Sequence, residues 1–281
     1  MKNTILFFLF TLLTQSLRAE VPVTIVAPKD VINDYNLFLN GKSPLEVSDF
    51  KGKQSRRDVV ELVLVQQALS KGGYKGEIKI IEAPSYARIN EIIKNGKADI
   101  SGTSDWKEDI ILEKQIASEI IIKQGQFEAG FYTATNNTKA LSAKSVNDIR
   151  QLTAISNRDW KPDWNTLSAL KIKHLEHVVL WESIVKMVNK KRGDFTLAPF
   201  QQTEDMSLEM DGVKLIPIPG IKISLAGNRA YLVSKKGIWG EKILPILNKG
   251  IKILQMKNII NKAYSESGFF NPRVKNWKKI N

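Results

Sequence analysis

The sequence predicts an α/β chain of two lobes, each a doubly wound sheet flanked by helices, with hinge strands joining the lobes. Strands and helices alternate through the first hundred residues at crossover spacing, the mark of a parallel sheet. The stretch 85–104, SYARINEIIKNGKADISGTS, reads as helix, Gly, Asp, buried strand and loop, and the same order returns at 181–199, WESIVKMVNKKRGDFTLAP. No low-complexity or Pro/Ser-rich linker separates the halves, so the connections are read as strands that act as a hinge.

Residues 1–19 read as a cleavable export signal. Lys2 precedes a short apolar run, 5–13, and Leu17-Arg18-Ala19 offers a cleavage site before Glu20. The run is too short to span a bilayer, and the alternative is an uncleaved anchor. The lobes are expected at 20–125 and 126–228, with 229–281 returning to the first. Residues 23–27 are a β-branched run closed by Pro28, the first strand. The polar segment 30–53, broken by Gly41, Pro44 and Gly52, reads as a loop near the mouth of a site. Ser55 is placed as a helix cap with Asp58 bonding back, and Val59, Leu62, Val63 and Leu69 keep helical spacing up to Gly72-Gly73. The second strand is 77–83. The helix after Pro84 buries Ile89, Ile92 and Ile93 and stops at Gly96, before a third strand at 98–100.

Segments 120–123 and 127–135 read as extended chain leaving the first lobe. In the second, 145–149 is a helical turn, 152–155 a strand, 157–170 a Trp-rich loop and helix, and a strand lies near 177–180. The repeated unit follows, then strands at 213–217 and 230–233. The tail is helical, with Ile243, Leu247, Ile251 and Leu254 on one face and Pro245 in the first turn, and it should pack on the first lobe.

The 281 residues carry 42 Lys and Arg against 29 Asp and Glu, a net charge of +13. The basic residues are spread along the chain, so nucleic acid is not an expected partner. The absence of cysteine excludes disulfides, thiolate chemistry and a lipid-modified cysteine, and a bacterial periplasm is the expected compartment. The mature chain is expected to be a soluble monomer.

Ligands of wound sheets sit at the carboxyl ends of the strands. That rule selects Tyr86 and Arg88 after the second strand, and Thr103, Ser104, Asp105 and Trp106 after the third. An aromatic lid with one carboxylate suits a cationic or polyhydroxylated ligand. In the second lobe Asn157, Arg158, Asp159 and Trp160 precede a helix whose amides can bind an anionic group. Phe200 and Gln201 close the repeated unit. Asn228 and Arg229 are hinge or rim candidates, while Trp164 and Trp181 are read as core. Each candidate also has a structural reading as a surface aromatic, a solvated cation or a cap. His174 and His177 form His-x-x-His in a loop and strand, where one face does not hold both and a third ligand is missing, so no metal is expected. No cofactor is expected, and no nucleophile triad, phosphate loop or carboxylate pair marks an enzyme.

Three motifs resemble one family. They are Gly96-Lys97-Ala98-Asp99-Ile100-Ser101-Gly102-Thr103, Ser145-Val146-Asn147-Asp148-Ile149, and Ala230-Tyr231-Leu232-Val233-Ser234-Lys235-Lys236. The chain resembles, over about residues 21–270, the extracytoplasmic solute-binding proteins of bacterial amino-acid-type ABC transporters, the family 3 group. The resemblance implies a two-lobed, type II periplasmic-binding-protein fold that captures a small polar solute by hinge closure and presents it to a membrane permease. A membrane sensor as partner, an exported enzyme on the same fold, and a structural partner without a ligand are the alternatives. A raised carboxyl pKa at Asp105 or Asp159 would favour the enzyme. In the family an arginine commonly follows the Gly-Thr loop and clamps a ligand carboxylate. Here that place reads Ser104-Asp105-Trp106-Lys107-Glu108, and the turn that opens the first long helix lacks the usual Gly-Phe-x-x-Asp. The resemblance therefore gives a fold and leaves the ligand open.

Overall fold

A computed structural model describes residues 21–281, and the expected export signal lies outside the described residues. The first β-branched run forms β1 (Val23–Pro28). It pairs in parallel with β2 (Ile78–Ala83), Val23 opposite Ile78, and on its other side with β3 (Ile100–Ser101), Ile25 opposite Ile100. Three helices serve these strands: α1 (Lys29–Leu39), α2 (Arg57–Gly72) and α3 (Tyr86–Lys94). Ser85 caps α3 by accepting from the Arg88 N–H, and Ile89 and Ile93 bury its inner face.

Two local expectations are corrected here. The polar stretch after Pro28 is helical as α1, because Val31, Tyr35 and Leu39 recur every four residues and are buried together. Its many Asp and Asn residues lie on the solvent and cleft sides and hide that spacing. The capping box at Ser55 and Asp58 does not form either. Arg56 is the N-cap of α2 without a side-chain bond, Ser55 donates its hydroxyl to the Phe50 carbonyl, and Asp58 pairs with arginines.

The first sheet has the order β2-β1-β3-β13-β4, where β4 is Asp105–Trp106 and β13 is Arg229–Ser234, and β5 (Gln115–Ile122) also pairs with β13. Strand β13 is buried along its whole length and runs antiparallel to β3, β4 and β5. Its register sets Arg229 opposite Trp106 and Ala230 opposite Asp105. This pairing of residues far apart in the chain builds one end of the cleft.

The second sheet is wound differently. Its centre, β6 (Glu128–Ala134), is antiparallel to β9 (Thr196–Pro199), β11 (Val213–Pro217) and β12 (Ile221–Ser224), and β10 (Leu208–Met210) completes a hairpin with β11. Parallel winding is confined to β7 (Thr153–Ser156) and β8 (His174–His177), joined to the rest by a parallel bridge from Ala154 to Phe195. Strand β8 thus comes a few residues earlier than the sequence places it. Helices α4 (Thr138–Leu141), α5 (Val146–Arg150), α6 (Lys161–Ala169) and α7 (Trp181–Asn189) belong to this half. Ser145 and Asp148 form a complete capping box at α5.

Helices α8 (Ile243–Met256) and α9 (Ile259–Glu266) follow the return strand, and α8 packs on α2 as expected. The two backbones nearly touch: a Cβ on Gly250 would lie 1.7 Å from the Ala68 carbonyl oxygen. Gly250→Ala is therefore expected to lower stability by about 3 kcal/mol through overpacking, read by chemical denaturation. A loss below about 0.5 kcal/mol would mean that the helices separate freely.

After α9 the tail leaves the first sheet. Its strand β14 (Lys278–Lys279) pairs with β12, so the return segment does not stay with the first lobe to its end. The other crossings, at 123–127 and 225–228, are tied to each other by Gln124 N–H to Asn228 Oδ1 at 3.1 Å and Leu225 N–H to the Phe127 carbonyl at 2.9 Å. Gly227 in this crossing has φ +118°, and a Cβ there would meet Glu108 and Trp106 at 2.9 and 3.0 Å.

Candidate functional site

Between the two sheets lies a cleft of about 360 Å³. Its first-lobe wall is a cluster of arginines and acids. Arg56 reaches Asp30 at 2.8 Å, Asp34 at 2.9 Å and Asp58 at 3.0 Å, so its charge is fully matched. Arg57 pairs with Asp58 and, at 3.0 Å, with Glu61. Burial depresses the pKa of both guanidiniums, but the carboxylates around them outweigh it and hold them firmly protonated. Among the described residues, Arg57 Nε is a buried donor without a hydrogen-bond partner.

Arg229 is different. It makes no ion pair among the described residues, and its Nε donates to Ser104 Oγ at 3.0 Å while Nη2 donates to the Ser104 carbonyl. The guanidinium carbon sits 4.6 Å from the Trp106 ring centre and 5.5 Å from that of Phe127. Burial, then the neighbouring Arg57, pushes its pKa down. The cleft thus presents a buried cation that makes no ion pair among the described residues, while the carboxylates of Glu61, Asp105 and Asp58 act on it from further off.

The second-lobe wall has the opposite character. Asp159, Asp163 and Glu209 line it, and no Lys or Arg among the described residues does. The rings of Trp160 and Trp181 stand beside them with centres 5.8 Å apart. Asp163, in the first turn of α6, is pushed up to about 6 by burial, with Arg229 and Arg57 opposing the shift. Its own backbone supplies the one hydrogen bond its carboxylate receives among the described residues.

Of the residues chosen from sequence, Tyr86, Asp105, Trp106, Asp159, Trp160, Gln201 and the rim candidate Arg229 line the cleft. The others do not. Arg88 lies on the exposed side of α3, because Ile89 and Ile93 fix its inner side. Thr103 and Ser104 are buried behind the wall, where Ser104 holds Arg229. Asn157 is buried and builds its loop, donating to the Val179 carbonyl at 2.9 Å and accepting from the Asp159 N–H at 2.9 Å. Arg158 stacks over Trp164 at 5.2 Å, away from the cleft. Phe200 is core, edge-on to Trp277 at 5.5 Å. Trp106 is 5% exposed, a floor under Arg229 instead of a lid. Sequence reasoning missed Arg57, which looks like part of a helix cap, and Asp163. It also assigned Trp181 to the core, although that ring lines the cleft from the first turn of α7.

No protein-family model matches the chain, and no curated protein is similar to it in sequence. Solved structures are similar to it in fold. The arginine third-transport-system periplasmic binding protein of Legionella pneumophila superposes with a TM-score of 0.59 at 15% identity, over 88% of this chain and 100% of that one. The chain has the two-lobed periplasmic-binding-protein fold. The amino acid ABC transporter substrate-binding protein AbpA from Streptococcus pneumoniae, bound to L-arginine, shares that fold with a TM-score of 0.55 at 12% identity, over 89% and 94% of the two chains. The periplasmic VFT2 domain of Bordetella pertussis BvgS does so with 0.53 at 13%, over 92% and 93%.

Proposed function

We propose that this protein is a periplasmic solute-binding protein whose lobes close on a small zwitterion that carries an additional cationic group. One observation supports this reading most: the Arg229 guanidinium, without an ion pair among the described residues, stands on the first-lobe wall, and the carboxylates of Asp159 and Asp163 stand on the second. An anionic end of the solute meets Arg229 and Trp106, and a cationic end meets Asp163 beside Trp160 and Trp181. Such a solute bridges both walls, so it stabilises the closed lobes over the open ones and shifts the population. Residues 123–127 and 225–228 act as the hinge. The bound L-arginine of the streptococcal structure and the name of the Legionella protein agree with this charge pattern. No helix of the described residues is long and apolar enough to cross a membrane. The closed protein is then read by a membrane permease or by a membrane sensor.

The test is a thermal-shift series with L-arginine, L-lysine, L-citrulline and L-glutamate. At about a hundredfold excess over Kd, a specific ligand raises the midpoint by about 5 °C. L-arginine and L-lysine are expected to do so, whereas neutral L-citrulline and anionic L-glutamate give less than half that shift. An equal shift from L-glutamate, or a shift from sugars alone, would sink the reading. An exported enzyme is a second reading with one observation behind it, the raised carboxyl of Asp163. Following L-arginine by NMR during incubation separates the two, since a binding protein returns the ligand unchanged.

A further inference from the structure

We infer that Glu61 is a positioning residue for ligand recognition, acting through Ser104 to fix the Arg229 guanidinium; the inference rests on the solute-binding reading above. Glu61 lies on α2 with no exposed surface and does not line the cleft. Its carboxylate accepts from the Ser104 N–H at 2.7 Å, the Ser104 hydroxyl at 2.8 Å, Arg57 Nη1 at 3.0 Å and the Tyr264 hydroxyl at 3.0 Å. Its backbone carbonyl accepts from the Tyr231 hydroxyl at 2.7 Å. The carboxylate therefore joins α2, the loop after β3 and α9, and the backbone carbonyl of the same residue adds β13.

The direction of the Ser104 hydroxyl is what matters for Arg229. A serine hydroxyl has one proton to give and two lone pairs to offer. With the proton committed to Glu61, the lone pairs face the Arg229 Nε at 3.0 Å, and the Ser104 carbonyl takes Nη2. Both acceptors hold the guanidinium over Trp106 at 4.6 Å, where its remaining donors are free for a ligand. Without Glu61 the hydroxyl is free to turn its proton towards a cation, and the acceptor becomes an opposing donor. A carboxylate that only balanced Arg57 would have no need to hold both the amide and the hydroxyl of Ser104. The two bonds to Ser104 tie the loop and the direction of its hydroxyl together.

Isothermal titration with L-arginine and with agmatine tests this, since the two compounds differ only by the carboxylate that Arg229 would take. Glu61→Gln and Ser104→Ala are each expected to weaken L-arginine by about tenfold and to leave agmatine within about twofold of wild type. Gly250→Ala, which destabilises the α2–α8 contact far from the cleft, should keep the wild-type ratio of the two affinities. Should Glu61→Gln prevent folding, Ser104→Ala alone decides. Variants that keep the wild-type ratio, or lose both compounds alike, overturn the positioning role. A wild type that binds neither compound overturns the solute reading itself and the positioning role with it.

Discussion

Arg229→Gln is expected to weaken L-arginine binding by about a hundredfold while agmatine loses less than about threefold. Glutamine keeps a donor for the Ser104 carbonyl and an apolar stem over Trp106, so the change removes the charge more than the packing. A charged hydrogen bond to a buried carboxylate is among the strongest a binding site can make, and losing one partner strands the other in the dry cleft. The free protein should respond in the opposite sense. Burial and the nearby Arg57 push the Arg229 pKa down, so at neutral pH its protonated form is held at a cost to folding. The variant is therefore expected to melt no lower than wild type, and binding is lost without loss of stability. Calorimetric titration and thermal melts of the same samples check both halves. A variant that loses stability and both ligands together would make Arg229 a structural residue.

Much of the fold was legible before any coordinates. Strands β1 and β2, helix α3, its Gly96 stop and the apolar face of α8 all follow from local periodicity and punctuation, which depend on neighbours within a few turns. Helix α1 reads as a loop because four Asp or Asn side chains in its eleven residues mimic one, while its burial depends on the distant α2. The strand-end rule found Tyr86, Asp105 and Trp106, and the loop that opens a helix gave Asp159 and Trp160. It could not find the charges that make the cleft chemical. Arg229 reaches Trp106 only through the register of β13 on β4, a pairing across more than a hundred residues that no local pattern records. Ser104 shows the same limit from the other side. Its place at a strand end is right, yet its work is to hold Arg229 from behind the wall.

Asp163 supplies the second large effect, and its sign is set by the direction of its shift. Burial pushes its carboxyl up to about 6 in the folded free protein, well above the usual carboxylate range. The raised value means that the free protein binds this proton more tightly than the unfolded chain does. Its contribution to stability is therefore full below about 4 and is lost as pH rises through about 6. A cationic ligand requires the opposite state. L-arginine affinity should hold at pH 7 and above and fall as pH drops through about 6, by at most about tenfold per unit for one proton. Arg229 and Arg57 face this carboxyl from the first lobe, Asp159 and Glu209 share its wall, and His174 and His177 lie on β8 outside the lining. Asp163→Asn should flatten the affinity profile between pH 5 and 7 and weaken L-arginine at pH 7 by about thirtyfold. The free variant should melt at the same temperature or higher at pH 7, because the cost of burying the charge is gone. If affinity for L-arginine falls with the same pH dependence in Asp163→Asn as in wild type, the cationic end of the ligand does not rest on this residue.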